Sequence, residues 1–285
     1  MVKLFALFYL LLVVPTVNAE NKSTGLKEFS ENMYQASSQG LGLPHISKEV
    51  AEVTMTQSLV AQYLYVQKRL GSGDKIAGYK AGLTSEAGQK KFNVDDAISG
   101  VLFSQGNIKK IDELKVSEYR KLMLETEIGF VLAEDIDRPI DHIETLKKKI
   151  ESVMPMIEMP DLAFVDLNNI TGLDIIASNA ISNRYLLGKP ISLPLSFSLN
   201  TLNIRLEHSL DEQIKVVNQG KGKDALNDQW KALLWLVNER LESGYHLRKG
   251  QFLITGALGK MIPASAGSYQ ADFEQLGKIS FKIME

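Results

Sequence analysis

The chain has 285 residues, 45% of them hydrophobic and 23% charged, with 32 basic residues against 34 acidic ones and no cysteine. That length can bury a sizeable core, and a net charge of -2 without a long basic run excludes the electrostatic footprint of a nucleic-acid binder. The absence of cysteine excludes disulfides, thiolate metal sites, cysteine nucleophiles and a lipoprotein anchor.

Residues 1–19 read as a signal peptide: Lys3, an unbroken apolar run over 4–14, Pro15, then small residues at Val17 and Ala19. The run is too short for a bilayer span, which needs roughly 20 apolar residues. Cleavage after Ala19 predicts an exported protein, periplasmic or secreted, with no stable membrane insertion once the signal is gone.

Residues 20–75 form an N-terminal helical region. Its first part is polar, with a helical stretch at 27–36. A second helix covers 54–70, where Leu59, Tyr63, Val66 and Leu70 recur at helical spacing until Gly71-Ser72-Gly73 stops them. A strand follows at 75–81, then a Gly-, Ser- and Asp-containing excursion to residue 100 and a short strand at 100–103. Over 121–133, Leu122, Leu124, Thr126, Ile128, Phe130 and Leu132 alternate onto one face, a strand with its core side declared. The pattern then predicts a charged helix at 138–152 and an apolar strand at 153–159. Residues 173–185 are ambiguous, 195–206 and 211–218 pair as strands, 229–243 form an amphipathic helix, and three short strands fill the last forty residues. Strands in hairpin-like runs predict an α+β fold: a small helical N-terminal part and a mainly antiparallel β domain over 76–285.

Glu125 and Glu127 lie two apart on the strand whose other face is apolar, so period two aims both carboxylates one way, their Cβ atoms roughly 7 Å apart. Two such charges repel, and a cation relieves them; two glutamates on a solvated face are the bland alternative. Glu158 sits in the apolar run Met154-Pro155-Met156-Ile157-Glu158-Met159, where a charge needs a partner or a metal. Three carboxylates without cysteine or clustered histidine suit Mg²⁺ or Mn²⁺ rather than zinc. Lys80 lies between Gly78 and Gly82 at a strand end, followed by Thr84 and Ser85 as donors. It reads either as a carboxylate-binding or proton-moving group or as a surface lysine beside a turn. Asn179 and Thr255 are polar residues among small ones. His45, His142, His208 and His246 are scattered, and no nucleophile motif or phosphate loop is present.

The stretches 76–85 (IAGYKAGLTS), 100–103 (GVLF), 124–132 (LETEIGFVL), 154–161 (MPMIEMPD), 174–188 (DIIASNAISNRYLLG), 232–236 (ALLWL) and 250–277 follow one another in a recognisable order. In this the sequence resembles the hydratase/decarboxylase branch of the fumarylacetoacetate hydrolase superfamily, the branch of 2-keto-4-pentenoate hydratase and 4-oxalocrotonate decarboxylase. The resemblance implies a β-sandwich or roll core of that family's type, assembly into a homo-oligomer, and a small unsaturated 2-oxo acid as substrate. It implies Glu125, Glu127 and Glu158 as ligands of a divalent metal, Mg²⁺ or Mn²⁺, and Lys80 as the catalytic lysine. Leu83, Thr84, Asp161, Asn179 and Thr255 would join Lys80 in lining the substrate pocket.

One position departs from the family pattern. Where relatives carry Pro-Asp-aromatic-Gly, this chain reads Asp95-Asp96-Ala97-Ile98-Ser99-Gly100, so Ile98 replaces the proton-transferring Asp, unless a shifted loop lets Asp95 or Asp96 substitute. That departure and the export signal leave two further readings: a non-catalytic exported carboxylate-binding member, or an acylpyruvate hydrolase using His45.

Overall fold

The computed structural model describes residues 24–108, 114–192, 194 and 197–285. The signal-peptide reading over 1–19 lies outside the described residues. Among those described, no helix is long and apolar enough to cross a membrane.

Three helices open the described chain: α1 (24–38), α2 (Ile46–Glu49) and α3 (Met55–Gly71). A capping box starts α3: Gln57 N–H donates to Thr54 Oγ1 at 3.3 Å and Thr54 N–H donates to Gln57 Oε1 at 2.9 Å. The face α3 buries is Ser58, Ala61, Gln62, Tyr65 and Val66, whereas Tyr63 is exposed. Of the expected stripe, Val66 is buried and Leu59 and Leu70 pack against the core, so Tyr63 alone departs from it, and the buried face is widened by the hydrogen-bonding Gln62.

Then come β1 (Ile76–Gly82), α4 (Glu86–Phe92), β2 (Ile98–Phe103), β3 (Met123–Leu132), α5 (Ile143–Lys147) and β4 (Ile150–Met159). The charged helix expected over 138–152 is only the short α5. Pro139 and the approach to β4 leave no room for more, and β4 already begins at Ile150. Beyond lie α6 (Gly172–Ala177), β5 (Arg184–Leu187), β6 (Asn203–Leu210), β7 (Gln213–Lys221), α7 (Gln229–Glu242), β8 (Phe252–Ile254), β9 (Ile262–Pro263), β10 (Gly267–Asp272) and β11 (Lys278–Ile283). The first strand of the pair expected at 195–206 and 211–218 thus starts later, at Asn203, and the excursion at 82–100 contains α4.

The strands form two sheets. One runs β2-β1-β8-β3-β4-β5, with β9 added to β3; the other runs β11-β10-β6-β7. All pairings between these strands are antiparallel except β1 with β8. The fold is α+β with a curled main sheet, as the strand patterning predicts. One apolar cluster joins Phe29 of α1 and Tyr65 of α3 to Phe130 of β3, Ile157 of β4 and Phe281 of β11. The N-terminal helices therefore share the core of the sheets.

The end strand β2 has its outward carbonyls met by side chains. Gln62 Nε2 donates to Ser99 O at 2.8 Å, Asn179 Nδ2 to Val101 O at 2.9 Å, and Tyr185 Oη to Phe103 O at 3.1 Å. Buried carbonyls must find donors, and here helix and loop residues replace a neighbouring strand.

Candidate metal centre

Both faces of β3 are covered. Leu124, Thr126, Ile128 and Phe130 are fully buried as the alternation requires, but Glu127 on the opposite face is also fully buried. The solvated-face reading of that glutamate is thereby excluded. The β3–β4 register sets Glu125 directly across from Glu158. Cross-strand partners project to the same side of a sheet, so the third carboxylate joins the other two. One ligand oxygen from each of Glu125, Glu127 and Glu158 lies within 4.8 Å of the others.

Lys80 approaches from β1. Between β1 and β3 runs β8, which ends at Ile254, the residue paired with Lys80 on one side and Gly129 on the other. Past that point no strand separates Lys80 from Glu127. The Lys80 Nζ lies 2.5 Å from Glu158 Oε1 and donates to Ala180 O at 3.1 Å. Gly256, just beyond β8, donates its N–H to Glu127 Oε2 at 2.7 Å. Its φ of +111° and a would-be Cβ only 2.4 Å from Thr84 Oγ1 reserve the position for glycine.

Charge balance is the notable property of this cluster. A single ammonium faces three carboxylates, and Glu127 Oε1 and Glu158 Oε2 have no hydrogen-bond partner among the described residues. Burial first, and Glu158 second, push the Glu125 carboxyl up to about 8. Glu127 is pushed well above the ordinary carboxylate range by burial and then by its two neighbours. Burial acts to lower Lys80, but Glu158, Glu125 and Glu127 outweigh it and hold the ammonium above its usual value. Such a set fits a hard divalent cation: oxygen donors only, converging, partly unpartnered and short of positive charge.

The raised carboxyls have a consequence for stability. Above the ordinary value of 4.5, up to about 8 for Glu125, the folded chain holds protons at Glu125 and Glu127 that the unfolded chain has released. Stability must therefore fall as pH rises through that window. Carboxylates held low, such as Asp174, whose burial is outweighed by hydrogen bonds from Ser47 and Thr171, titrate below it. Melting curves of metal-free protein should shift steadily downward from pH 5 to pH 8, and saturating Mg²⁺ should reverse the loss at pH 8. A flat or rising profile would contradict the assignment.

Above the triad opens a cavity of about 1010 Å³, reached by Lys80 and Glu125 at its floor and lined by Leu83, Thr84, Ile98, Ile175 and Ile181, among others. Lys80, Leu83, Thr84 and Glu125 are therefore brought to one cavity, with Glu127 and Glu158 buried beside them. Three expected pocket residues are not. Asp161 accepts from Lys121 N–H at 2.7 Å and Arg120 N–H at 3.3 Å, and faces a different cavity. Asn179 spends its amide on Val101, and Thr255 Oγ1 donates to Gln229 Oε1 at 2.6 Å. Each has a local backbone or side-chain partner and lies outside the lining of this cavity. Ile98 lines the cavity. Asp95 does not, whereas Asp96 lies at the rim with its carboxylate on Trp235 Nε1 at 3.3 Å and Ala97 N–H at 2.7 Å. His45 is buried against Asp174 at 3.3 Å and does not line the cavity.

Sequence reasoning missed the Ala180 carbonyl and the Gly256 amide. Backbone groups carry no residue-type signal, although a glycine directly after Thr255 was a trace of the second. It also missed Ile175 and Ile181, whose apolar side chains read only as core.

Comparison with known proteins agrees with this geometry. No family model matches the chain. The chain is 27% identical over 241 residues to a 2-keto-4-pentenoate hydratase of Paraburkholderia xenovorans, covering 85% of this chain and 88% of the relative. The solved structure of 4-oxalocrotonate decarboxylase from Pseudomonas putida G7, complexed with magnesium and adipate, superposes with a TM-score of 0.82. It is 23% identical, and the match covers 91% of this chain and 97% of that one. A fumarylacetoacetate hydrolase family protein from Yersinia pestis CO92 shares the fold at a TM-score of 0.54 and 10% identity, over 72% of this chain and 92% of that one. The fold is that of the fumarylacetoacetate hydrolase type, and the chain's relatives are hydratases and decarboxylases of the branch its motifs resemble.

Proposed function

We propose that this relative of the 2-keto-4-pentenoate hydratases is a divalent-metal-dependent lyase, hydrating or decarboxylating a small unsaturated 2-oxo acid. The observation that carries the reading is the convergence of Glu125, Glu127, Glu158 and Lys80, with Lys80 and Glu125 lining one cavity. The three glutamates would hold Mg²⁺ or Mn²⁺. When bound, such a cation supplies charge neutralisation for a substrate's carboxylate and 2-oxo oxygens, and for the enolate charge that develops there.

The remaining roles belong to the protein. Lys80, paired with Glu158 and lining the cavity, is the group placed to hand on or receive a proton at the substrate. Gly256 N–H orients the Glu127 carboxylate through its Oε2. Leu83, Ile98, Ile175 and Ile181 give the cavity an apolar wall suited to an alkenyl chain. With Ile98 at the cavity wall, the groups left to move a proton are Lys80, Asp96 and solvent. The hydrolase reading has no support in the geometry, since His45 is away from the cavity. The mature protein is proposed to work outside the cytoplasm, on the strength of the 1–19 segment, and as a homo-oligomer, as the family resemblance of its motifs implies.

Two assays decide the activity. Purified mature protein with Mn²⁺ should consume 2-hydroxypenta-2,4-dienoate by adding water, or release CO₂ from 2-oxohex-3-enedioate, and chelation should stop it. A protein that binds Mn²⁺ and turns over neither compound would leave the lyase reading without foundation.

A further inference from the structure

The segment after α6 holds three consecutive non-glycine residues in the left-handed region: Asn179 at φ +60°, Ala180 at +51° and Ile181 at +52°. Such a run, with a β-branched residue in it, persists only where its surroundings impose it. Those surroundings are identifiable. Val101 N–H donates to Asn179 Oδ1 at 2.7 Å and Asn179 Nδ2 donates to Val101 O at 2.9 Å, so one side-chain amide forms the rung a neighbouring strand would have made on β2. Gly100 lies directly across from Lys80 in the β1–β2 ladder. A Cβ at Gly100 would stand 2.7 Å from the Asn179 carbonyl oxygen, so the turn's backbone occupies the space that a side chain at 100 would fill. From there the turn offers the Ala180 carbonyl to Lys80 Nζ at 3.1 Å, and presents Ala180 and Ile181 to the cavity.

We infer that Asn179 is a positioning residue: its amide clamps the left-handed turn onto β2 so that the Ala180 carbonyl fixes Lys80 at the cavity floor. The inference rests on the proposed catalytic role of Lys80. If the turn relaxed, Lys80 would keep only carboxylates as partners, and its ammonium would be drawn into the triad and away from the cavity. The strained turn thus works as a second tether that opposes the pull of Glu158.

Asn179→Ala removes the clamp, and Gly100→Ala pushes the same turn from the β2 side while leaving the Asn179 side chain in place. In each folded variant, kcat on whichever of the two substrates the parent turns over should fall on the order of 10²-fold, the scale of a small misplacement of a reacting group. Mn²⁺ affinity by calorimetry should fall, because the released ammonium then competes more strongly for Glu158. A Lys80→Met background supplies the decisive control: adding Asn179→Ala there should cost less than about twofold more, because both changes act through one group. A purely structural role would instead lower the melting temperature and leave kcat unchanged in both backgrounds, and that result would overturn the inference. A parent without turnover would defeat the lyase reading itself, and this inference with it, whereas an active parent with fully active variants would defeat the inference alone.

Discussion

A Glu125→Gln/Glu127→Gln protein should melt higher than the parent at pH 8 without divalent cations, and should no longer be stabilised by adding them. The parent buries three carboxylates against one ammonium, and the two amides remove the excess negative charge while filling the same volume. Gly256 N–H keeps an acceptor at position 127. Lys80 and Glu158 are then left as a one-to-one pair, a balance that costs less than an uncompensated buried anion. The gain should shrink toward pH 5, where the parent's Glu125, pushed up to about 8, and Glu127 are already protonated. Loss of two charged ligands should weaken Mg²⁺ binding by several orders of magnitude. Thermal melts with and without Mg²⁺ at the two pH values check every part of this. A variant that melts lower than the parent at pH 8 would mean the glutamates are paired by something other than a metal.

Lys80→Met is expected to have the opposite effect on the metal-free protein. Methionine fills much of the lysine's length but leaves the triad without a cation, in a pocket where Lys80 is itself buried. Removing one partner of a buried ion pair costs about 3–5 kcal/mol. Saturating Mg²⁺ should recover most of that loss, and Mg²⁺ should bind more tightly than to the parent, because no ammonium competes for Glu158. Turnover should nevertheless fall by about 10²–10⁴-fold, the contribution typical of a positioned proton-transfer group. Tighter metal binding with lost turnover separates a catalytic lysine from one that merely neutralises charge. Melting curves and metal titration read the first half, and the lyase assay reads the second. Full activity in Lys80→Met would remove the lysine from the mechanism.

How much of this was visible in the sequence differs by residue. The strand carrying Glu125 and Glu127 was legible because Leu124, Thr126, Ile128 and Phe130 alternate without interruption, and the α3 and α7 helices because their breakers are plain. Glu158 was legible because a carboxylate among Met and Ile must be partnered. The length of α5 was not, since charge periodicity over 138–152 is shared by a helix and by the exposed approach to a strand, and only tertiary pairing decides. Asn179 shows a different limit. A buried amide beside small residues reads equally as a ligand-facing group and as a substitute for a missing strand; the choice depends on β2 lying at the end of its sheet. The Ala180 carbonyl that touches Lys80 lies beyond residue-type reasoning, and the Gly256 amide that touches Glu127 left only its glycine as a trace.

The account turns on a metal held by these glutamates and open to a 2-oxo acid. Its most direct test is calorimetric titration of the mature protein with Mg²⁺ and oxalate, a planar mimic of the enolate, beside the Glu125→Gln/Glu127→Gln variant. The prediction is oxalate binding that requires Mg²⁺ and disappears in the variant. Oxalate binding that survives without Mg²⁺ or in the variant, or no Mg²⁺ binding by the parent, would contradict it.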